Sequence, residues 1–366
     1  MNGKKLSLHS KRLGAFVRLL KRNRLCGALI CGEANLGYLT GFACDHAVLS
    51  VDARGHAAFW TDFRYLEAAR GVLPEGVALE RLTGSRQGLL ARLGRQLAAQ
   101  KGLIGLEECL ALGDADGLLS EVGIERYAPI SGLLSELRGV KSRDEIARIE
   151  AAAKLADEVF LDSLNSGWPG RTEREIAAGI KVAMIARGVE ESFETIVAAG
   201  ANGSDCHHRC SAEVRVQERD AVLVDMGVRL DGYCSDMTRC VSFGKPSALY
   251  RKIYALVLEA NCRAIEAIRP GIPCCEVDAV ARGVIEKAGY GKAFGHSLGH
   301  SVGLEIHESP AFSPTCRTVL KPGMVITVEP GIYLPGRLGI RIEDFIVVTG
   351  DGCRILTGTP KELLVI

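Results

Sequence analysis

SRDEIARIEAAAKLADEVFLDSLNSGWPGRTEREIAAGIKVAMIARG, residues 142–188, contains two helix starts, a Pro-Gly stop between them and a glycine end. Ser142 and Glu145 form a capping box, in which the serine side chain caps the backbone and the glutamate reaches back; Thr172 and Glu175 form another. The first helix places Ile146, Ile149, Ala152, Ala156 and Val159 on one face, and the second ends near Arg187-Gly188. The same order returns downstream. A helix from about Tyr250, periodic in Ile253, Val257, Ile265 and Ile268, runs to Arg269-Pro270-Gly271, and a further helix ends near Ala288-Gly289. Strand-like sequence follows each copy. Such an internal duplication predicts two αα-plus-β-hairpin halves about a pseudo-twofold axis, with a site at their seam drawing on both.

Upstream, CGALICG, YLTGF, AVLSVDARG and HAAFWTD, between 26 and 62, read as strands joined by tight turns. RQGLLARLGRQLAAQ at 86–100 has helical spacing, and LIGLEE at 103–108 returns to strand. A chain of 366 residues exceeds one ordinary core. The expected division is an α/β domain over 1–132 and the duplicated domain over 133–366, an α/β (α+β) protein overall.

Composition narrows the function classes. Lys plus Arg total 45 against 44 Asp plus Glu, so no global field draws the chain to nucleic acid or to an anionic membrane. The basic N-terminus breaks its apolar residues with Arg and Lys, unlike a signal peptide or a membrane span. Thirteen scattered cysteines fit reduced thiols in a cytoplasm better than a disulfide framework.

Two acidic pairs are the first candidates for chemistry. In AVLVDMGVRLDGYCSDMTRC, 221–240, two strand-like runs flank the turn signal Asp231-Gly232. Asp225 and Asp236 are symmetric about a centre between Leu230 and Asp231, so a regular hairpin would set them face to face. In VITVEPGIYLPGRLGIRIEDFIVV, 325–348, Glu329 and Glu343 are equidistant from Gly336. Arg341 would share a strand face with Glu343 and orient a carboxylate. A single Asp or Glu in a strand is ordinarily solvated. Four in β-branched, buried runs need cations, because uncompensated buried charge is prohibitive. Two divalent ions match a charge of −4, and such a pair activates a water as nucleophile. Oxygen ligation with one imidazole suits Mn or Co, with Fe or Zn as further candidates.

GHSLGHSVGLEIHE, 295–308, offers His296, His300 and His307 for that imidazole, and His207-His208 lie before the first acidic pair. In SVGLEIHE, Val302, Leu304 and Ile306 alternate with polar positions, predicting a strand that turns His307 from the apolar face. Cys206, His207, His208 and Cys210 match no standard zinc spacing. Cys274-Cys275, at a helix start with no base nearby, reads as burial.

Together these blocks resemble the pita-bread metallopeptidases, in the branch of Xaa-Pro aminopeptidases (aminopeptidase P) and Xaa-Pro dipeptidases (prolidases). NLGYLTGF at 35–42 and TDFRYLEAAR at 61–70 resemble the branch's creatinase-like N-terminal domain. LRGVKSRDEIARI, SFETIVAAGANG, VLVDMGVRLDGYCSDMTR, GHSLGHSVGLEIHE, KPGMVITVEPGIY and GIRIED resemble the catalytic domain in order and spacing. The resemblance implies metal ligation by Asp225, Asp236, His300, Glu329 and Glu343, with Asp236 and Glu343 bridging two ions. It implies acid/base action by Glu329, contacts to the scissile group or the tetrahedral intermediate by His208 and His307, a substrate-pocket wall at His296, and Arg341 beside the bridging glutamate as a further substrate-binding residue. The implied substrates are peptides with proline at position two, and the implied assembly is a homodimer. The chain departs from the family at Ser211, where a proline is common three residues after the histidine. Methionine aminopeptidase is the nearest alternative and typically lacks the creatinase-like domain. A catalytically silent peptide-binding module is the other, and such modules usually lose ligands, whereas all five positions are filled here.

Overall fold

The computed structural model describes residues 7–366. The chain divides into two compact units, Met1–Arg138 and Gly139–Ile366; the boundary expected at 132/133 falls inside helix Ser131–Gly139.

The first unit is built on a six-stranded sheet in the order Val77–Arg81, Ala57–Thr61, Ala47–Asp52, Leu25–Ile30, Leu103–Leu106, Tyr127–Pro129. Leu25–Ile30 is buried throughout, as an apolar central strand must be, and pairs antiparallel with Ala47–Asp52 and parallel with Leu103–Leu106. Helix Arg86–Ala98 packs Leu89, Leu90, Leu93 and Leu97 into the core beside Leu29 and Ile104. YLTGF is not a strand. Tyr38, Leu39 and Thr40 close helix Glu33–Thr40, which stops at Gly41 in the left-handed region (φ 83°), its amide bonded to the Gly37 carbonyl. Glu33 in the first turn and glycine past the last are helix signals that outweigh a short aromatic and β-branched run.

The second unit carries the duplication. Helices Arg143–Leu164 and Glu173–Ala186 form the first pair and Ala248–Ala267 and Cys274–Lys287 the second. Both expected capping boxes are present, at Ser142/Glu145 and Thr172/Glu175. A four-stranded sheet follows the first pair, ordered Leu364–Val365, Met237–Ser242, Ala221–Met226, Ile196–Ala199. A five-stranded sheet follows the second, ordered Glu308–Phe312, Gly299–Ser301, Val325–Val328, Asp344–Val348, Cys353–Ile355.

Strand alternation sorts residues between the two halves. Val222, Val224 and Met226 join Ile176, Ile180 and Trp168 in one core, whereas Leu223 joins Val257, Ile326 and Ile340 in the other. Asp225 shares the face of Leu223, so the pleat turns its carboxylate toward the second half.

Candidate metal centre

The first acidic pair sits two residues off the expected register. Asp225 lies opposite Thr238, and Met226 opposite Met237. Asp231 (φ 50°) and Gly232 (φ 83°) are both left-handed, so the hairpin centre falls between them. Asp225 and Asp236 are therefore diagonal neighbours on one face, ~7–8 Å between Cα atoms in regular geometry. The second hairpin keeps its expected register: Val328 pairs with Asp344 and Gly331 with Arg341, which sets Glu329 opposite Glu343.

His300 lies in strand Gly299–Ser301, beside Val325–Val328. Its Nε2 is 3.6 Å from Asp236 Oδ2 and 3.4 Å from Glu329 Oε1. One donor atom each from Asp236, His300 and Glu343 lie within 4.8 Å of one another. The strand predicted through SVGLEIHE breaks: Gly303–His307 are bends, and Ser301 pairs with Glu308 across a register shift. The break follows from Glu308, whose carboxylate accepts the Glu305 amide and an ion pair from the buried Lys141. His307 is exposed at that bend, its ring edge-on to His300 with centroids 4.5 Å apart.

A cavity of about 590 Å³ gathers Asp225, Asp236, His300, Glu329 and Glu343 with His208, His296, His307 and Arg341. All nine predicted site residues thus meet in one place. The loop that brings His208 lies close against strand Leu338–Arg341, because Gly339 has no side chain: a Cβ there would be 1.6 Å from the Gly203 carbonyl oxygen. His296 hydrogen-bonds through Nε2 to Tyr333 Oη at 3.0 Å.

Around Arg341, which the sequence singles out, several positioning groups escaped the sequence reading: Thr238, Thr327, Tyr333 and Arg239. Arg341 is buried and spends its fork within the protein, donating to Asp225 Oδ2 at 2.6 Å, Thr238 Oγ1 at 2.9 Å and Tyr333 Oη at 2.8 Å. Thr238 in turn donates to Glu343 Oε2 at 2.8 Å. Thr327 donates to Glu329 Oε1 at 3.1 Å and accepts the His300 amide at 3.0 Å. Behind them Arg239, 1% exposed, holds the Glu343 carbonyl and Asp344. The turn signal Asp231-Gly232, taken as the two central residues, would have put Thr238 across from Asp225.

The electrostatics call for a cation. Asp225 Oδ1 and Glu343 Oε1 are buried and lack a hydrogen-bond partner among the described residues. Burial, and then the charges of Glu343, Asp225 and Glu329, hold Asp236 well above the usual carboxylate range. Glu343 is raised likewise by burial, Glu329 and Asp225. Glu329 is pushed up to about 7, chiefly by burial. Burial and the neighbouring His307 lower His300 to about 4, leaving a neutral imidazole, the form that coordinates metal. Orphaned carboxylate oxygens beside a neutral imidazole fit divalent ions with mainly oxygen ligands. Cys210 is not part of a competing site; its thiol donates to the Thr195 carbonyl. All thirteen cysteines are free thiols.

Residues 147–350 match metallopeptidase family M24, and residues 12–140 match the creatinase/prolidase N-terminal domain. An Xaa-Pro dipeptidase of Pyrococcus furiosus is 40% identical over 262 residues, 71% of this chain and 75% of that protein. The solved Xaa-Pro dipeptidase from Bacillus anthracis is 35% identical and superposes with a TM-score of 0.91 over 98% of this chain and 100% of its own. The X-Pro aminopeptidase from Thermotoga maritima is 33% identical, with a TM-score of 0.83 over 95% of this chain and 100% of its own. With its mixed α/β fold, duplicated second unit and carboxylate-histidine cavity, the chain belongs to metallopeptidase family M24 and carries that family's creatinase/prolidase N-terminal domain.

Proposed function

We propose that this protein is a metal-dependent peptidase that hydrolyses the bond between the first residue of a peptide and a proline in the second position. The observation that carries the reading is the cluster of Asp236, His300 and Glu343 donor atoms within 4.8 Å, in a cavity that His208, His307 and Glu329 also line. Relatives named Xaa-Pro dipeptidase, at 40% identity and at a TM-score of 0.91, support the substrate class.

Asp225, Asp236, His300, Glu329 and Glu343 would hold two divalent ions. Bound there, the ions would polarise a substrate carbonyl and make water nucleophilic near neutral pH. Glu329, raised to about 7, is suited to take and return a proton at the reacting centre. His307, exposed at the bend beside His300, would donate to the oxyanion, and His208 would contact the scissile group. His296 walls the pocket. Arg341, expected on the substrate side, lines the cavity and donates to Asp225, Thr238 and Tyr333, so it would position Asp225 as well as border the substrate.

Manganese or cobalt is the proposed metal, because the donor set is rich in carboxylate oxygen. A homodimer, as the resemblance implies, and a cytoplasmic location, in keeping with thirteen free thiols, complete the proposal. Among the described residues no helix is long and apolar enough to cross a membrane.

The deciding assay uses chelator-stripped protein reloaded with Mn, Co or Zn and offered Xaa-Pro dipeptides, longer Xaa-Pro peptides and Met-Ala-type peptides. Xaa-Pro hydrolysis that depends on added metal is expected. Asp236→Ala should lose bound metal and hydrolysis together; a variant that stays active without metal overturns the assignment. Turnover of Met-Ala-type peptides alone would replace the proposed substrate class.

A further inference from the structure

We propose that Glu173, the first residue of helix Glu173–Ala186, is a positioning residue that fixes the tautomer and orientation of His208. The inference rests on the proposed function only in assigning His208 to the substrate side of the cavity.

Glu173 is 0% exposed. A carboxylate removed from water is costly unless every lone-pair direction is met. Here Oε1 accepts the Ala199 amide and Asn202 Nδ2, both at 2.8 Å. Oε2 accepts the Ser211 amide at 2.8 Å and pairs with His208 Nε2 at 2.7 Å. Two partners are backbone amides, which can only donate, the Asn202 side-chain amide donates as a third, and the helix N-terminus adds its own field. This is the setting of an ionised, acceptor-only carboxylate, so His208 Nε2 must carry a hydrogen.

That requirement leaves Nδ1 as the uncommitted nitrogen of His208, with no hydrogen-bond partner among the described residues, on a ring that lines the cavity. A histidine free to exchange tautomers or rotate would present either nitrogen to a substrate. One clamped by a buried carboxylate presents Nδ1 alone, the arrangement by which carboxylates orient functional histidines. The departure at Ser211 enters here, since its amide is one of the four donors and proline has none. Glu173 therefore joins the 199–211 loop to the helix and aims one side chain of that loop. Neither Glu173 nor any atom of it lines the cavity, so it acts through His208.

A merely structural clamp and a positioning residue differ in what they move. Glu173→Gln keeps the size but removes the acceptor-only charge, and kcat should fall by about 10–100-fold, as when the carboxylate partner of a functional histidine is lost. KM should change by about twofold or less, since ground-state binding is not its task. In a His208→Ala background the same substitution should change kcat by about twofold or less, because the residue it acts through is gone. Equal losses in both backgrounds overturn the proposal, as does wild-type kcat in Glu173→Gln. The second measurement needs no variant of Glu173. Long-range ¹H–¹⁵N spectra of the zinc-loaded full chain, with the resonance assigned by its loss in His208→Ala, should show Nε2 of His208 protonated; an unprotonated Nε2 overturns the proposal even if Glu173→Gln fails to fold. A wild type inactive on Xaa-Pro peptides would instead overturn the proposed function, leaving the spectrum to decide the Glu173 assignment.

Discussion

Arg341 shows how one residue serves the centre without touching its chemistry. Its guanidinium meets Asp225, Thr238 and Tyr333 at once, from three separate segments; Thr238 then donates to Glu343 and Tyr333 hydrogen-bonds His296. A lysine has a point charge on a flexible stem and lacks the planar fork that spans such partners. Arg341→Lys is therefore expected to leave the protein folded while weakening metal affinity and kcat/KM by about 10–100-fold, the usual cost of losing a group that orients a ligand. Metal titration by calorimetry beside steady-state kinetics measures both. Unchanged metal affinity would mean that Asp225 holds its place without the arginine.

At the scale of elements, the helices are locally specified and the hairpins only partly so. Thr172 caps helix Glu173–Ala186 by accepting the Glu175 amide at 3.2 Å, while Glu175 accepts the Thr172 amide at 2.8 Å. Thr172→Ala should cost about 1 kcal/mol of unfolding free energy. It should also loosen Glu173 in the next position, so denaturant unfolding should show a lower midpoint with an unchanged slope. The first hairpin's register depends on which two residues occupy the left-handed turn. Asp231 and Gly232 do so, which moves every partner by two positions from a count centred on Leu230-Asp231. The bend at 303–307 depends on Lys141, far away in sequence, holding Glu308 beneath it. No local pattern in SVGLEIHE carries that information.

At the scale of the molecule, the centre couples metal, pH and stability. In the metal-free protein Asp236 and Glu343 are raised well above the carboxylate range by burial and mutual repulsion, and Glu329 is raised to about 7 chiefly by burial. A carboxyl raised on folding contributes stability that is present at low pH and is lost as pH climbs from its unfolded value, about 4, through its folded one. His296 and His300, each lowered to about 4 by burial, work oppositely. Their contribution is lost as pH falls through about 4, and it is complete above their unfolded value of about 6.5. Above about pH 6.5 only the carboxyl effect remains, so the metal-free protein should lose thermal stability from there to about pH 8. Added Mn or Co should raise Tm more at the upper end of that range, because the ligands bind metal only when deprotonated. Scanning calorimetry with and without metal tests this; a metal-free Tm that rises between those two pH values contradicts it.

The amino-acid sequence by itself determined the duplication, the capping boxes and the identity of the nine residues that line the cavity. The first two follow from helical periodicity and capping chemistry, and the four hairpin carboxylates from residue types that burial tolerates only around a cation. The roles of His208, His296, His300, His307 and Arg341 came instead from the resemblance to the pita-bread metallopeptidases. It also determined the register of the second hairpin, since Gly336 marks a symmetric turn. Local signals, Asp231-Gly232 and Gly41, already pointed to Asp225 meeting Thr238 and to Tyr38–Thr40 ending a helix. Only the tertiary structure decided that His307 stands on a bend and that Glu173 holds His208. Both of those outcomes turn on contacts whose energy is settled by partners dozens of residues away, and such contacts leave no periodic trace in the chain.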